Sequence, residues 1–219
     1  MPVPFPIGQK QTNPRRDITL LSEGVIKKKY KQLEEQQRDW LHKLYSCVQV
    51  GNKIRYLEWA TEITLDRSSS SQLSLTLRPF GVVASSRPPR TLTEFRAAIY
   101  CVLTCLTDLH AAGYAHLDIR WSNIVYMSPT EWVLIDAEFA RPFKSPFPVE
   151  LKKKDPEAMV ADEQADCYLV GLLMIEHRRL WEQDKYAAEL VSYLMAMGTR
   201  EHNNRNARGA IQSPFFRIL

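Results

Sequence analysis

Three side chains in the middle of the chain have the types and order to act together on a phosphate-bearing substrate. Asp118 and Asn123 stand five residues apart in His116-Leu117-Asp118-Ile119-Arg120-Trp121-Ser122-Asn123, and Asp136 follows thirteen residues after Asn123. A carboxylate can orient a hydroxyl or take its proton. A second carboxylate and an amide oxygen are donors of the kind that hold Mg²⁺. Arg120, two residues beyond Asp118, carries a planar cation that matches phosphate oxygens. Asp and Asn are also common turn residues, so the types alone decide little. The register decides more, because all three stand in order with a helical segment before them and two β-type runs between them.

Those positioning elements are legible in the pattern. Leu92, Phe95, Ile99, Val102, Leu103, Leu106 and Leu109 recur at helical spacing. Thr91 with Glu94 forms a capping box at the start, and Gly113 suits a left-handed stop. Ile124 to Met127 and Trp132 to Ile135 read as short strands between Asn123 and Asp136. Upstream, Ile54 to Leu65 and Leu73 to Leu77 read as strands, separated by a turn at Ser68 to Ser71. Lys31 to Cys47 has helix composition. Residues 1–17, with Pro2, Pro4, Pro6 and Pro14, read as an extended or disordered leader. Downstream, an apolar helix carries Asp166, and Ala187 to Met197 forms another.

The order of helix, Asp118, Asn123, strand pair and Asp136 resembles the protein-kinase fold. Its pattern is His-Arg-Asp-Leu-x-x-x-Asn, then Asp-Phe-Gly. The resemblance runs from about Leu73 to the C-terminus. Asp166-Cys167-Tyr168-Leu169-Val170-Gly171 is similar to the kinase Asp-x-Trp-x-x-Gly element, and Asp155-Pro156-Glu157 stands roughly where kinases have Ala-Pro-Glu. The stretch from Ala207 to Phe216 is similar to the kinase ending Ala-x-x-Ala-Leu-x-His-Pro-Phe-Phe. The resemblance implies an α+β protein-kinase-like fold, with a reduced β-rich N-lobe over 18–82 and a mostly helical C-lobe over 90–219.

It also implies roles. Asp118 orients the attacking hydroxyl, Arg120 contacts the transferring phosphate, and Asn123 and Asp136 hold Mg²⁺ against the phosphates of ATP. His116 and Asp166 brace the loop. Gly24-Val25-Ile26-Lys27 is similar to the Val-Ala-Ile-Lys strand, which makes Lys27 the candidate nucleotide-binding lysine and Glu34 or Glu35 its partner. The alternative places Lys27, Lys28 and Lys29 on a solvated lead into the following helix, with no such strand. The pairing of His-x-Asp-Ile-Arg-Trp-x-Asn with Trp-x-Leu-Ile-Asp resembles divergent kinase-like domains of fungal and oomycete proteins, including Crinkler-type effectors. That resemblance implies an intracellular setting, cytoplasm or nucleus, a host cell's included.

Departures from the kinase pattern keep two functions open. Leu117 replaces the Arg of His-Arg-Asp, so a phosphorylated activation segment has no such Arg to dock on. Ala137-Glu138 replaces Phe-Gly, and no Gly-x-Gly-x-x-Gly occurs anywhere. Only about Leu180 to Lys185 separates the Asp166 helix from the next, too little for a further substrate-docking helix. The retained Asp118, Asn123 and Asp136 favour a phosphotransferase acting on a hydroxyl, with protein Ser or Thr first among acceptors. The missing glycine loop favours a pseudokinase that binds or scaffolds a protein partner.

Composition narrows the setting. A chain of 219 residues, 45% hydrophobic and 25% charged, suits one globular domain or two small lobes. No apolar run reaches the length of a membrane-spanning helix. A net charge of +4 gives no ground for a nucleic-acid partner. Cys47, Cys101, Cys105 and Cys167 show no metal-ligand spacing. Cys101 and Cys105 share a helix face and read as buried thiols in a reducing compartment.

Overall fold

Alternation along Leu73-Ser74-Leu75-Thr76-Leu77 buries all three leucines, at 1%, 0% and 0% exposure, and sets one face of the N-terminal sheet toward the core. The computed structural model describes residues 8, 10–12, 14–22, 25–31, 33–48, 54–66, 72–79, 81–148, 151, 160–196 and 206–217. The first sheet contains β1 (Lys10–Thr12), β2 (Arg16–Ser22), β3 (Val25–Tyr30), β4 (Trp59–Leu65) and β5 (Leu73–Arg78). These lie in the order β1-β2-β3-β5-β4, each antiparallel to its neighbour. Helix α1 (Glu35–Val48) connects β3 to β4 and buries Leu41, Leu44 and Tyr45.

Two expectations change here. The stretch up to residue 17, read as a leader, supplies β1 and the first residues of β2. All three residues of β1 are exposed, so no apolar alternation announces the strand. Pairing of Lys10, Gln11 and Thr12 with Thr19, Ile18 and Asp17 makes it. The strand expected from Ile54 begins only at Trp59, because Tyr56 takes a left-handed turn at φ 57°. Residues 1–7, Gly24, Ser68 to Ser71 and Asp155 to Glu157 lie outside the described residues.

Helix α2 (Leu92–Ala111) is the axis of the second lobe. Thr91 caps it by accepting the Glu94 N–H at 3.1 Å. The Glu94 carboxylate accepts from Arg90 N at 2.9 Å and pairs with Arg87, so the capping box is closed only on one side. Gly113 ends the segment at φ +80°, where any Cβ would be strained. Around α2 lie β6 (Val82–Val83), β7 (Tyr114–Ala115), β8 (Ile124–Ser128), β9 (Glu131–Leu134) and β10 (Arg141–Pro142). Helices α3 (Glu163–Glu176), α4 (Lys185–Met195) and α5 (Ala207–Ala210) complete the lobe. A single 3₁₀ turn, Arg178–Leu180, lies between α3 and α4, as the short spacing required. Phe215 stacks edge-on against Phe95 of α2 and fastens the chain end to the core.

One continuous hydrophobic core joins the two lobes, running from Leu20 and Leu75 through Phe95 and Leu134 to Phe215. The lobes are also joined through the backbone. Leu134 N–H donates to Tyr56 O at 2.7 Å, and Glu58 N–H donates to Leu134 O at 2.9 Å. This bridge carries the residues before β4 to the end of β9, two residues short of Asp136.

Candidate active site

The loop after β7 is shaped from beneath by a buried carboxylate. Asp166, in α3, is fully buried, an arrangement tolerated only when its oxygens are bonded. Its oxygens accept the backbone N–H of His116 at 2.8 Å and of Leu117 at 2.7 Å, and His110 Nε2 lies at 2.9 Å. The bracing role expected for Asp166 is therefore met. Leu117 takes φ 68°, uncommon for a bulky side chain and costing of order 1–3 kcal/mol. The bond to Asp166 holds it there, as does burial of its side chain in a small cluster with Phe147, Leu151 and Ala161. Where the kinase pattern has an arginine that docks a phosphate, this chain packs an apolar side chain against the segment after Asp136. His116 is buried, and its Nδ1 accepts from Asp118 N–H at 3.3 Å.

Beyond that turn the catalytic candidates come together. Asp118 is buried, and its Oδ2 accepts from Asn123 Nδ2 at 2.8 Å and lies 3.0 Å from Arg120 Nη2. Asn123 Nδ2 also donates to the Asp118 carbonyl at 2.9 Å. With both amide hydrogens directed at residue 118, Asn123 keeps its amide oxygen for another electrophile. Ile135 N–H donates to Asn123 O at 2.8 Å, which sets Asp136 next to Asn123 across β8 and β9. Asp136 takes the left-handed conformation, φ 66° and ψ 54°, and its N–H donates to Glu58 Oε1 at 2.6 Å.

The lysine and its partner are not the ones expected. On β3 the exposed and buried positions alternate, and Lys27 faces solvent. Lys28 is the inward residue, 2% exposed. Its Nζ lies 3.2 Å from Asp136 Oδ1 and 3.4 Å from both Glu58 oxygens. Glu35, one expected partner, leaves its side chain 85% exposed at the start of α1. Helix α1 contributes instead through Tyr45, whose hydroxyl donates to Glu58 Oε1 at 2.6 Å. Sequence reasoning missed Lys28, Glu58 and Arg16. Inward alternation with Ile26 and Tyr30 was the one available signal for Lys28. For Glu58 and Arg16 there was none.

Electrostatics tie these groups into one unit. Burial alone would raise the Asp136 pKa, but Lys28 and Arg16 outweigh it and hold the carboxyl well below its usual range. Burial would likewise lower Lys28, yet Asp136 and Glu58 push it above the ordinary lysine value. Glu138 goes the other way. Its burial raises its pKa, with Arg16 opposing. Burial and then Glu58 raise the Tyr45 hydroxyl, which therefore stays a donor.

Asp136 and Asn123 offer oxygen donors suited to Mg²⁺. Among the described residues no group of three His, Cys, Asp or Glu side chains is arranged to hold a metal. Mg²⁺ is commonly held by one or two carboxylates together with substrate phosphates. Both Asp136 oxygens are at present engaged by Arg16, at 2.6 and 2.9 Å.

The difference between neighbouring lysines can be measured. Lys28→Ala strips a buried charge from Glu58 and Asp136 and is expected to cost about 3 kcal/mol of stability. Lys27→Ala should stay within about 0.5 kcal/mol, as for an exposed side chain. Urea denaturation of the two variants checks this, and equal losses would return Lys27 to the site.

The fold is similar to that of a protein kinase. The chain aligns in three dimensions with the Cydia pomonella granulovirus kinase PK-1 at a TM-score of 0.66. The match covers 92% of this chain and 89% of that one, at 12% sequence identity, so the likeness is one of fold. In sequence, the chain is 42% identical over 111 residues to Crinkler effector protein 8 of Phytophthora infestans. That stretch is 50% of this chain and spans only 16% of the relative's length. No protein-family model matches the sequence. Among the described residues no helix is long and apolar enough to cross a membrane.

Proposed function

We propose that the chain is a divergent ATP- and Mg²⁺-dependent phosphotransferase acting on a hydroxyl, with protein Ser or Thr as the acceptor class. One observation carries this reading. The buried Lys28–Asp136 pair and the bonded Asp118–Asn123 pair are joined through the Asn123–Ile135 backbone bond. Phosphoryl transfer asks the protein mainly for positioning and charge neutralisation, and that is what these side chains can do. Mg²⁺ would supply neutralisation of phosphate charge at Asn123 and Asp136. Asp118, fixed by Asn123 and Arg120, would receive the hydroxyl proton as the acceptor oxygen bonds to the terminal phosphorus and the bridging P–O bond breaks. Lys28 would hold non-transferred phosphate oxygens while Glu58 and Tyr45 keep it in place. Arg120, 48% exposed on its side chain, can turn from Asp118 to the transferring group.

A second reading, a scaffold or effector module without transfer, is favoured by Arg16 standing on both Asp136 oxygens. Similarity to a Crinkler effector supports action in the cytoplasm or nucleus of a host cell, on a protein substrate or partner. Buried, unpaired Cys101, Cys105 and Cys167 agree with a reducing compartment.

Thermal unfolding tests the first reading. Ligand binding to the folded state adds stability, so ATP should raise Tm by several degrees with Mg²⁺ and little without it. Asp136→Ala should lose the rise. A metal-dependent rise that survives in Asp136→Ala takes Asp136 out of the site.

A further inference from the structure

Two departures from the kinase pattern meet each other in space. Where that pattern has a glycine-rich loop, this chain enters β2 with Arg16; where it has Asp-Phe-Gly, this chain carries Glu138 two residues after Asp136. Arg16 Nη1 contacts Asp136 Oδ1 at 2.6 Å and also Glu138, while Nη2 contacts Asp136 Oδ2 at 2.9 Å. This is the two-pronged guanidinium–carboxylate geometry that makes strong, directional pairs. It is sheltered, with the Arg16 side chain 17% exposed. Glu138 is buried and anchored by its own carbonyl, which accepts from Gln37 of α1 at 2.9 Å.

Charge counting shows what this arrangement can exchange. Lys28 and Arg16 face Glu58, Asp136 and Glu138, two cations against three carboxylates, for a formal charge of −1. A divalent cation approaching that net negative set would find both Asp136 oxygens engaged by Arg16. A divalent cation can take the Asp136 oxygens only as Arg16 lets go of them, and Arg16 then still has its contact with Glu138.

We infer that Arg16 is a built-in competitor for the divalent cation at Asp136, and that Glu138 is the carboxylate on which it rests when it yields Asp136. The inference rests on the phosphotransferase reading in one respect, that Asp136 is the metal carboxylate. It explains why a chain without a glycine-rich loop carries a carboxylate where the pattern has the last glycine. Arg16, at the start of β2, reaches Asp136, and Glu138 keeps the guanidinium beside the site. Metal entry at Asp136 and release of Arg16 are then one event, and metal affinity is set by how tightly Arg16 holds.

Titration of the full chain with Mn²⁺ alone, followed by the electron paramagnetic resonance of the free ion, tests this without nucleotide or activity. Arg16→Ala should bind Mn²⁺ about tenfold tighter than wild type or better. Arg16→Lys should fall between, since an ammonium cannot span both oxygens. Asp136→Ala should lose the site. Should Arg16→Ala fail to fold, Arg16→Lys carries the test, and affinity equal to wild type in that variant overturns the inference. Equal or weaker binding by a folded Arg16→Ala, with Asp136→Ala still defective, also overturns it and leaves the metal assignment standing. No Mn²⁺ binding by wild type or either Arg16 variant overturns the inference, while the phosphotransferase reading stands or falls separately on the Mg²⁺-dependent rise in Tm with ATP.

Discussion

Asp118→Ala is expected to lower phosphoryl transfer by about 10²–10⁴-fold, the range for removal of a positioned acid–base group, with ATP affinity changed less than about twofold. The asymmetry follows from when the carboxylate acts. A group engaged only as the hydroxyl attacks stabilises the transition state and not the bound nucleotide, so turnover falls and binding does not. The fold should survive, because Asn123 retains the backbone carbonyl of residue 118 as an acceptor. Asp118→Asn should lose transfer equally. It keeps an oxygen that can accept from Asn123 Nδ2 but no carboxylate to receive a proton. Single-turnover transfer from labelled ATP, to a protein acceptor or to the chain itself, together with equilibrium nucleotide binding, gives both quantities. Loss of binding in step with transfer would make Asp118 a structural brace. Absence of transfer in wild type would leave the scaffold reading.

Asp166→Ala should cost the most stability of any single substitution considered, about 4 kcal/mol. The variant leaves three donors without an acceptor in a fully buried place: His116 N–H, Leu117 N–H and His110 Nε2. Each orphaned buried donor costs about 1–3 kcal/mol. The left-handed turn at Leu117 also loses the bond that holds it. Asp166→Asn offers one oxygen where two were used and turns an N–H₂ toward a donor, so about 2–3 kcal/mol is expected. Urea midpoints at constant m-value measure both. A loss under about 1 kcal/mol for Asp166→Ala would mean that the loop after β7 is held by its apolar packing and not by the carboxylate. In a folded Asp166→Asn, transfer should fall further than nucleotide binding, since the residues it steadies lead directly into Asp118.

The spacing of Asp118, Asn123 and Asp136, the cap and stop of α2, and the buried Asp166 in an apolar helix could all be read from the amino-acid order. Each depends on short-range physics: a loop needs its ligands at set intervals, a helix repeats every 3.6 residues, and a carboxylate among apolar neighbours needs donors nearby. Tertiary structure decided the lysine, its partner and the place of Arg16 on Asp136. Among three consecutive lysines on β3 only the alternation with Ile26 and Tyr30 marks the inward one, and a shift of one residue turns a side chain to the opposite face. Only the pairing of β3 with β5, and the burial of Ile26 and Tyr30, selects Lys28 over Lys27. Glu58 reaches Asp136 because residues 56–58 are hydrogen-bonded to Leu134, a contact between segments more than seventy residues apart. Arg16 reaches Asp136 across a separation of 120 residues. Local chemistry can be read locally, whereas a pair made by two lobes closing on each other exists only once the chain between them has folded.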